Sequence, residues 1–169
     1  MSDYSMIQEI FSHPVLIFGC GNTLLGDDGF GPGVIEHLLQ DYVLPDHVFA
    51  VDVGTGVRNV LLDLLLMPEK PRKIFIVDAV IQANRKAGEL FEIELEQIPL
   101  YQNAAFSLHR FPSVNLLTEL RDAAGVEVRI LAVQAKHIPA EVSPGLSAEV
   151  DASLRGACLW LLDHVKEGA

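Results

Sequence analysis

A chain of 169 residues, half of them hydrophobic and 21% charged, suffices for one domain with a sizeable core and is short for two. Its formal net charge of −11, from 12 basic and 23 acidic residues, argues against nucleic acid and anionic membrane as partners, because both need a basic footprint. Two cysteines without a CxxC pair argue against a disulfide framework, no apolar run approaches the roughly 20 residues of a bilayer span, and MSDYSMIQEIFSH lacks the basic and apolar regions of a secretory signal, so a cytoplasmic protein is expected.

Residues 1–13 read as an N-terminal tail to a single domain covering 1–169. Val15 to Phe18 is a short continuous apolar run, the mark of a strand buried on both faces. The turn GCGNTLLGDDGFGPG follows, and Pro32 suits the first turn of a helix whose stripe is Val34, Ile35, Leu38, Leu39 and Tyr42. HVFAVDVGTG predicts a second strand ending near Asp52. Val57, Val60, Leu61, Leu64 and Leu65 form the next helical stripe, and KIFIVDAV predicts a third buried strand with Asp78 near its carboxyl end.

The rhythm then changes. GELFEIELE alternates, as in a half-exposed antiparallel strand, and a polar loop carries His109. Ser113 suits the cap of a helix with Leu116, Leu117 and Leu120 on one face and Gly125 just past its end. VEVRILAV is a further strand, HIPAEVSPGLS a long loop, and a last helix runs from about Val150 to Val165.

This alternation predicts an α/β fold: a three-layer αβα sandwich with a mostly parallel twisted sheet of about five strands and one antiparallel strand. In such a sheet the site lies beyond the carboxyl ends of the strands, where strand order reverses. A 2-1-3 order places Asp28 and Asp78, distant in sequence, on opposite sides of that crevice.

The glycine-rich turn does not complete a nucleotide motif. Gly19 and Gly21 fit G-x-G-x-x-G, but the third glycine position is Leu24, and no lysine is present for a P-loop. Asp27 and Asp28 would repel a phosphate at a helix N-terminus. Cys20 has no histidine beside it in sequence and reads as a small buried residue. Asp27 equally suits a helix cap. His137 has no support beyond its type, and His13, His37, His47 and His164 read as surface residues. What remains is Asp28, Asp78 and His109, hard oxygens with one imidazole. Such a set suits a divalent first-row metal and leaves positions open, without choosing among Zn, Ni, Co and Fe.

These residues also resemble a family. FGCGNTLLGDDGFGPGVIEHL is similar to the N-terminal signature of the hydrogenase maturation endopeptidases, G-x-G-N-x-L-x-x-D-[DE]-x-x-G. VDVGTG, IFIVDAV, FSLHR (with Leu108 where many members have Pro) and HIPAEVSPGLSAEV resemble later segments in the same order. The run GDDGFGP looks most like archaeal members serving the deazaflavin-coenzyme-reducing hydrogenase. The resemblance implies an endopeptidase that removes the C-terminal extension of a [NiFe] hydrogenase large-subunit precursor once nickel is in place. It places Asp28, Asp78 and His109 on the metal ligands, with Asp28 standing where Glu is frequent, and Asp52 on a further recurrent acid. Nickel would come with the precursor rather than reside in the free protein, and Asp28 or Asp52 would be the general base. The competing readings are a non-enzymatic nickel chaperone on the same scaffold and a small Rossmann-like nucleotide-binding domain.

Overall fold

The six residues of β1 (Val15–Cys20) are all buried, and so are the eight of β3 (Lys73–Val80). Strands covered on both faces have no solvent side to mark with polar residues, which is why they read as unbroken apolar runs. The computed structural model describes residues 3–101 and 113–166. Its sheet has the order β2-β1-β3-β5-β4, where β2 is Val48–Gly54, β4 is Leu90–Ile93 and β5 is Glu127–Gln134. The β1–β2, β1–β3 and β3–β5 pairs are parallel, and β4 runs antiparallel to β5. The expected 2-1-3 order and the antiparallel strand are both present.

Among the described residues, six helices cover the two faces. On one face α1 (Asp3–Phe11), α3 (Val57–Leu66) and α4 (Ser113–Asp122) pack with Leu16, Phe18, Ile74, Ile76 and Ile130 of the strands. On the other, α2 (Phe30–Asp41), α5 (Ala148–Asp151) and α6 (Leu154–His164) pack with Ile17, Phe75, Val77 and Leu131. Adjacent strand residues point to opposite faces, so each strand feeds both cores. No helix among the described residues is long and apolar enough to cross a membrane.

Three elements differ from the sequence expectation. Residues 1–13, expected as a tail, contain α1, whose Ile10 and Phe11 enter the core beside α3. One short stripe gives too little periodicity to read without its packing partner. The last helix is two: the chain turns at Ala152 and Ser153, where the Ser153 hydroxyl donates to the Val150 carbonyl at 2.6 Å. The loop after β4 opens with a 3-10 stretch, Leu95–Tyr101, that buries Leu95 and Ile98. At the end of α4, Gly125 takes φ +70° and the Val126 amide donates back to the Leu120 carbonyl, which closes the helix end.

The short antiparallel strand is held by a side-chain clamp. Arg129 of β5 donates to both carboxylate oxygens of Glu92 in β4, at 2.7 and 2.9 Å, and its guanidinium lies 4.7 Å from the Trp160 ring centroid.

Candidate functional site

The candidate acids gather around the carboxyl end of β1. Register puts Gly19 opposite Asp52 of β2 on one side and opposite Val77 of β3, one residue before Asp78, on the other. Cys20 therefore ends β1 between two acids. After it the chain turns back sharply over the strand end. Gly21 adopts φ +132°, and a Cβ there would stand 1.8 Å from the Asp28 carbonyl oxygen. Gly31 lets the start of α2 lie directly on the sheet: a Cβ would stand 2.2 Å from the Cys20 carbonyl oxygen and 2.5 Å from that of Val77. The glycines of the turn thus bring Asp28 down onto the strand ends.

Asp28 is buried, and its Oδ2 accepts the Asn22 amide at 2.8 Å. Asp78 is fully buried, with Oδ1 accepting the Ala79 amide at 2.8 Å. Asp52 is exposed; its Oδ1 accepts the Gly54 amide at 2.7 Å, and the Gly54 carbonyl accepts the Gly21 amide at 3.0 Å. That last bond ties the turn after β2 to the turn after β1. Between them lies a polar pocket of about 230 Å³ lined by Asn22, Thr23, Asp52 and Thr55, among others.

The electrostatics agree with this placement. Burial pushes the Cys20 thiol pKa well up, and the charges of Asp78, Asp52 and Asp28 push it further, in that order. Three carboxylates therefore act on one sulfur atom, and the thiol is held protonated. Cys20 is a packing residue at the floor of the site, as its sequence context suggests, and a poor nucleophile.

The strand alternation separates two directions. Ile74, Ile76 and Val80 belong to the core under α3 and α4, so Asp78 points to that side, as Cys20 does. Val48 and Ala50 belong to the core under α2, so Asp52 points to the α2 side. His109, the third expected ligand, lies outside the described residues. Among the described residues, no three His, Cys, Asp or Glu side chains are grouped so as to hold an ion.

Asp27 has a role the sequence did not disclose. It makes no helix-cap bond. Its fully buried carboxylate accepts the amides of Lys136 at 2.8 Å, His137 at 3.0 Å and Ser147 at 2.6 Å, and the Ser147 hydroxyl at 2.9 Å. Backbone bonds run alongside: the Asp27 amide donates to the His137 carbonyl, the Gly26 amide to Ser143, and the Ser143 amide to Leu24. The turn that carries Asp28 is thereby stapled to the loop after β5. His137 contributes its backbone here, while its side chain is exposed. Two adjacent aspartates in the turn just before α2 were the available signal, but which loop they would meet depends on the fold.

A second, larger cleft of about 640 Å³ runs beside α2, bounded by β2 and by the segment around Leu146. Asp52 lines it as well as the polar pocket.

Fold and site together define an α/β protein whose strand-to-helix turn presents carboxylates, where a nucleotide-binding turn would present amides to a phosphate. Comparison with known proteins is specific. Residues 32–164 match the model of the HycI hydrogenase maturation protease family. A protein of Methanocaldococcus jannaschii assigned by name to the hydrogenase maturation proteases is 34% identical over 154 residues, covering 90% of this chain and 97% of its own. The coenzyme F420 hydrogenase subunit delta of Methanothermobacter thermautotrophicus is 33% identical over 89% of this chain and 94% of its own. The solved structure of the hydrogenase maturating endopeptidase HybD from Escherichia coli superposes with a TM-score of 0.74 at 25% identity, covering 92% of this chain and 93% of its own. The chain belongs to the hydrogenase maturation protease family and is an enzyme of that kind.

Proposed function

We propose that this protease removes the C-terminal extension of a [NiFe] hydrogenase large-subunit precursor after nickel insertion, reading the precursor's nickel through Asp28, Asp78 and His109. The observation that carries the reading is the convergence of Asp28 and Asp78 on the end of β1. Two acids 50 positions apart in sequence are both buried there, at a strand end where the chain turns.

The gate follows from the ligand set. Two carboxylates and an imidazole leave coordination positions open, so the protease binds weakly until the precursor supplies a metal already held by its own ligands. Precursor without nickel is then spared. The substrate's metal serves as recognition element and as Lewis acid toward the scissile carbonyl or a water molecule. Asp28 or Asp52 takes the proton of that water. Asp52 suits this task by its exposure and its place on the polar pocket beside Asn22. The setting is the cytoplasm, and the resemblance of the turn to archaeal sequences suggests a coenzyme F420-reducing hydrogenase as the one served.

The test is cleavage of nickel-loaded precursor followed by mass spectrometry. Wild-type protein should release the C-terminal peptide from nickel-loaded but not nickel-free precursor. Asp78→Ala and His109→Ala should abolish release while keeping the fold by circular dichroism. Full processing by either variant removes the assignment.

A further inference from the structure

The chemistry proposed above involves Asp52, where the polar pocket and the long cleft beside α2 meet, and leaves the rest of that cleft without a role. That cleft lies along one edge of the sheet. β2 pairs with β1 on one side, and among the described residues no strand pairs with its other side. The Val15 amide donates to the His47 carbonyl, so in this parallel ladder the odd-numbered residues of β2 face β1. The amides and carbonyls of Ala50 and Asp52 therefore face outward, and both residues line the cleft. Glu36 and Leu39 of α2 line it too, together with Leu146 and Asp151. Leu39 is 54% exposed, although it sits on a helix with a buried face. Among the described residues the lining holds three carboxylates, of Glu36, Asp52 and Asp151, with the imidazole of His37 and no lysine or arginine.

We propose that an extended, cationic segment of the precursor polypeptide docks here as an added strand, hydrogen-bonded to the backbone of Ala50 and Asp52, with basic side chains against Glu36 and Asp151. The proposal rests on the protease reading above and adds the surface that holds the protein substrate. An edge strand offers alternating donors and acceptors that another extended backbone matches and a small ion does not. Charge selects the sign of the occupant: an acidic groove on a chain of net charge −11 attracts a basic segment and repels a second copy of itself. Direction is favourable as well. β2 ends at Gly54, whose carbonyl is bonded to Gly21, so a strand laid along this edge runs to the turn that carries Asp28.

The experiment uses the full chain and nickel-loaded precursor. Leu39 is replaced by photo-reactive benzoylphenylalanine, the mixture is irradiated, and the cross-linked precursor peptide is identified. Separately, kcat/KM for release of the C-terminal peptide is measured for Glu36→Lys/Asp151→Lys, a pair of exposed sites where charge reversal leaves the core untouched. The expected results are a cross-link to precursor sequence flanking the cut, and a fall in kcat/KM of at least about tenfold that shrinks as salt is raised. A cross-link between two copies of the protease, no cross-link to precursor, or an unchanged kcat/KM in the double variant each overturns the docking proposal. In those cases wild-type cleavage still stands and so does the protease reading. If wild-type protein leaves the precursor uncut, the protease reading fails and takes this proposal with it.

Discussion

Removing the Asp27 carboxylate should cost the protein a large share of its stability, although Asp27 is not among the expected metal ligands. Four donors converge on it, three of them backbone amides of Lys136, His137 and Ser147. A buried donor deprived of its acceptor costs about 1–3 kcal/mol, and water admitted to the vacated space recovers part of that. Taking the low end for the three amides, Asp27→Ala should destabilise by about 3 kcal/mol, against a typical domain stability of about 5–15 kcal/mol. Asp27→Asn is the finer probe. With its oxygen in place of Oδ2, the amide keeps the bonds from Lys136, His137 and the Ser147 hydroxyl, but its NH2 group meets the Ser147 amide. The expected cost is about 1–2 kcal/mol, between wild type and Asp27→Ala. Urea denaturation followed by circular dichroism gives both numbers, provided the slope with denaturant is unchanged. Hydrogen exchange should also quicken at the Lys136, His137 and Ser147 amides. An Asp27→Ala protein within about 0.5 kcal/mol of wild type, or an Asn variant as unstable as the Ala variant, would refute the staple.

Other consequences are open to simpler measurements. Gly31→Ala sets a methyl against the Cys20 and Val77 carbonyls at 2.2 and 2.5 Å, and backbone cannot yield as a side-chain tip can; it should cost at least about 3 kcal/mol, read as a fall in Tm. Iodoacetamide at pH 8 should leave Cys20 unmodified in the native protein and alkylate it in denaturant, because burial and the Asp78, Asp52 and Asp28 charges all hold the thiol protonated. The hydrogen bond from Arg129 holds the Glu92 carboxyl below its ordinary range. A depressed folded-state pKa contributes stability above the unfolded value and loses it as pH falls, so the stability gap between wild type and Glu92→Gln should narrow below about pH 4.3. A gap that widens on acidification contradicts the clamp.

Much of the fold, and of where it places the candidate acids, was legible in one dimension because its physics is local. Val15 to Phe18 and KIFIVDAV announce strands buried on both faces through their near-continuous apolar runs. Asp28 and Asp78 stood out as candidates because one lies in the glycine-rich turn after β1 and the other interrupts an apolar strand near its carboxyl end. The missing third glycine and the acidic pair already spoke against a phosphate. α1 escaped because nine residues without their partner show too little periodicity. The two-helix ending escaped because Ser153, ordinary in composition, breaks the helix through a bond to its own backbone.

By itself, the sequence determined the α/β alternation, the buried central strands and the acids at their ends, since periodicity and turn chemistry act over a few residues. Only the tertiary structure decided that Asp27 staples a loop more than 100 residues away, that Asp52 turns toward α2 while Asp78 turns toward α3 and α4, and that β2 is an edge with outward-facing amides at an acidic cleft. The reason is that hydrogen-bond partners, facing and edges are properties of strand order and register, which arise from contacts between segments and are written in none of them singly.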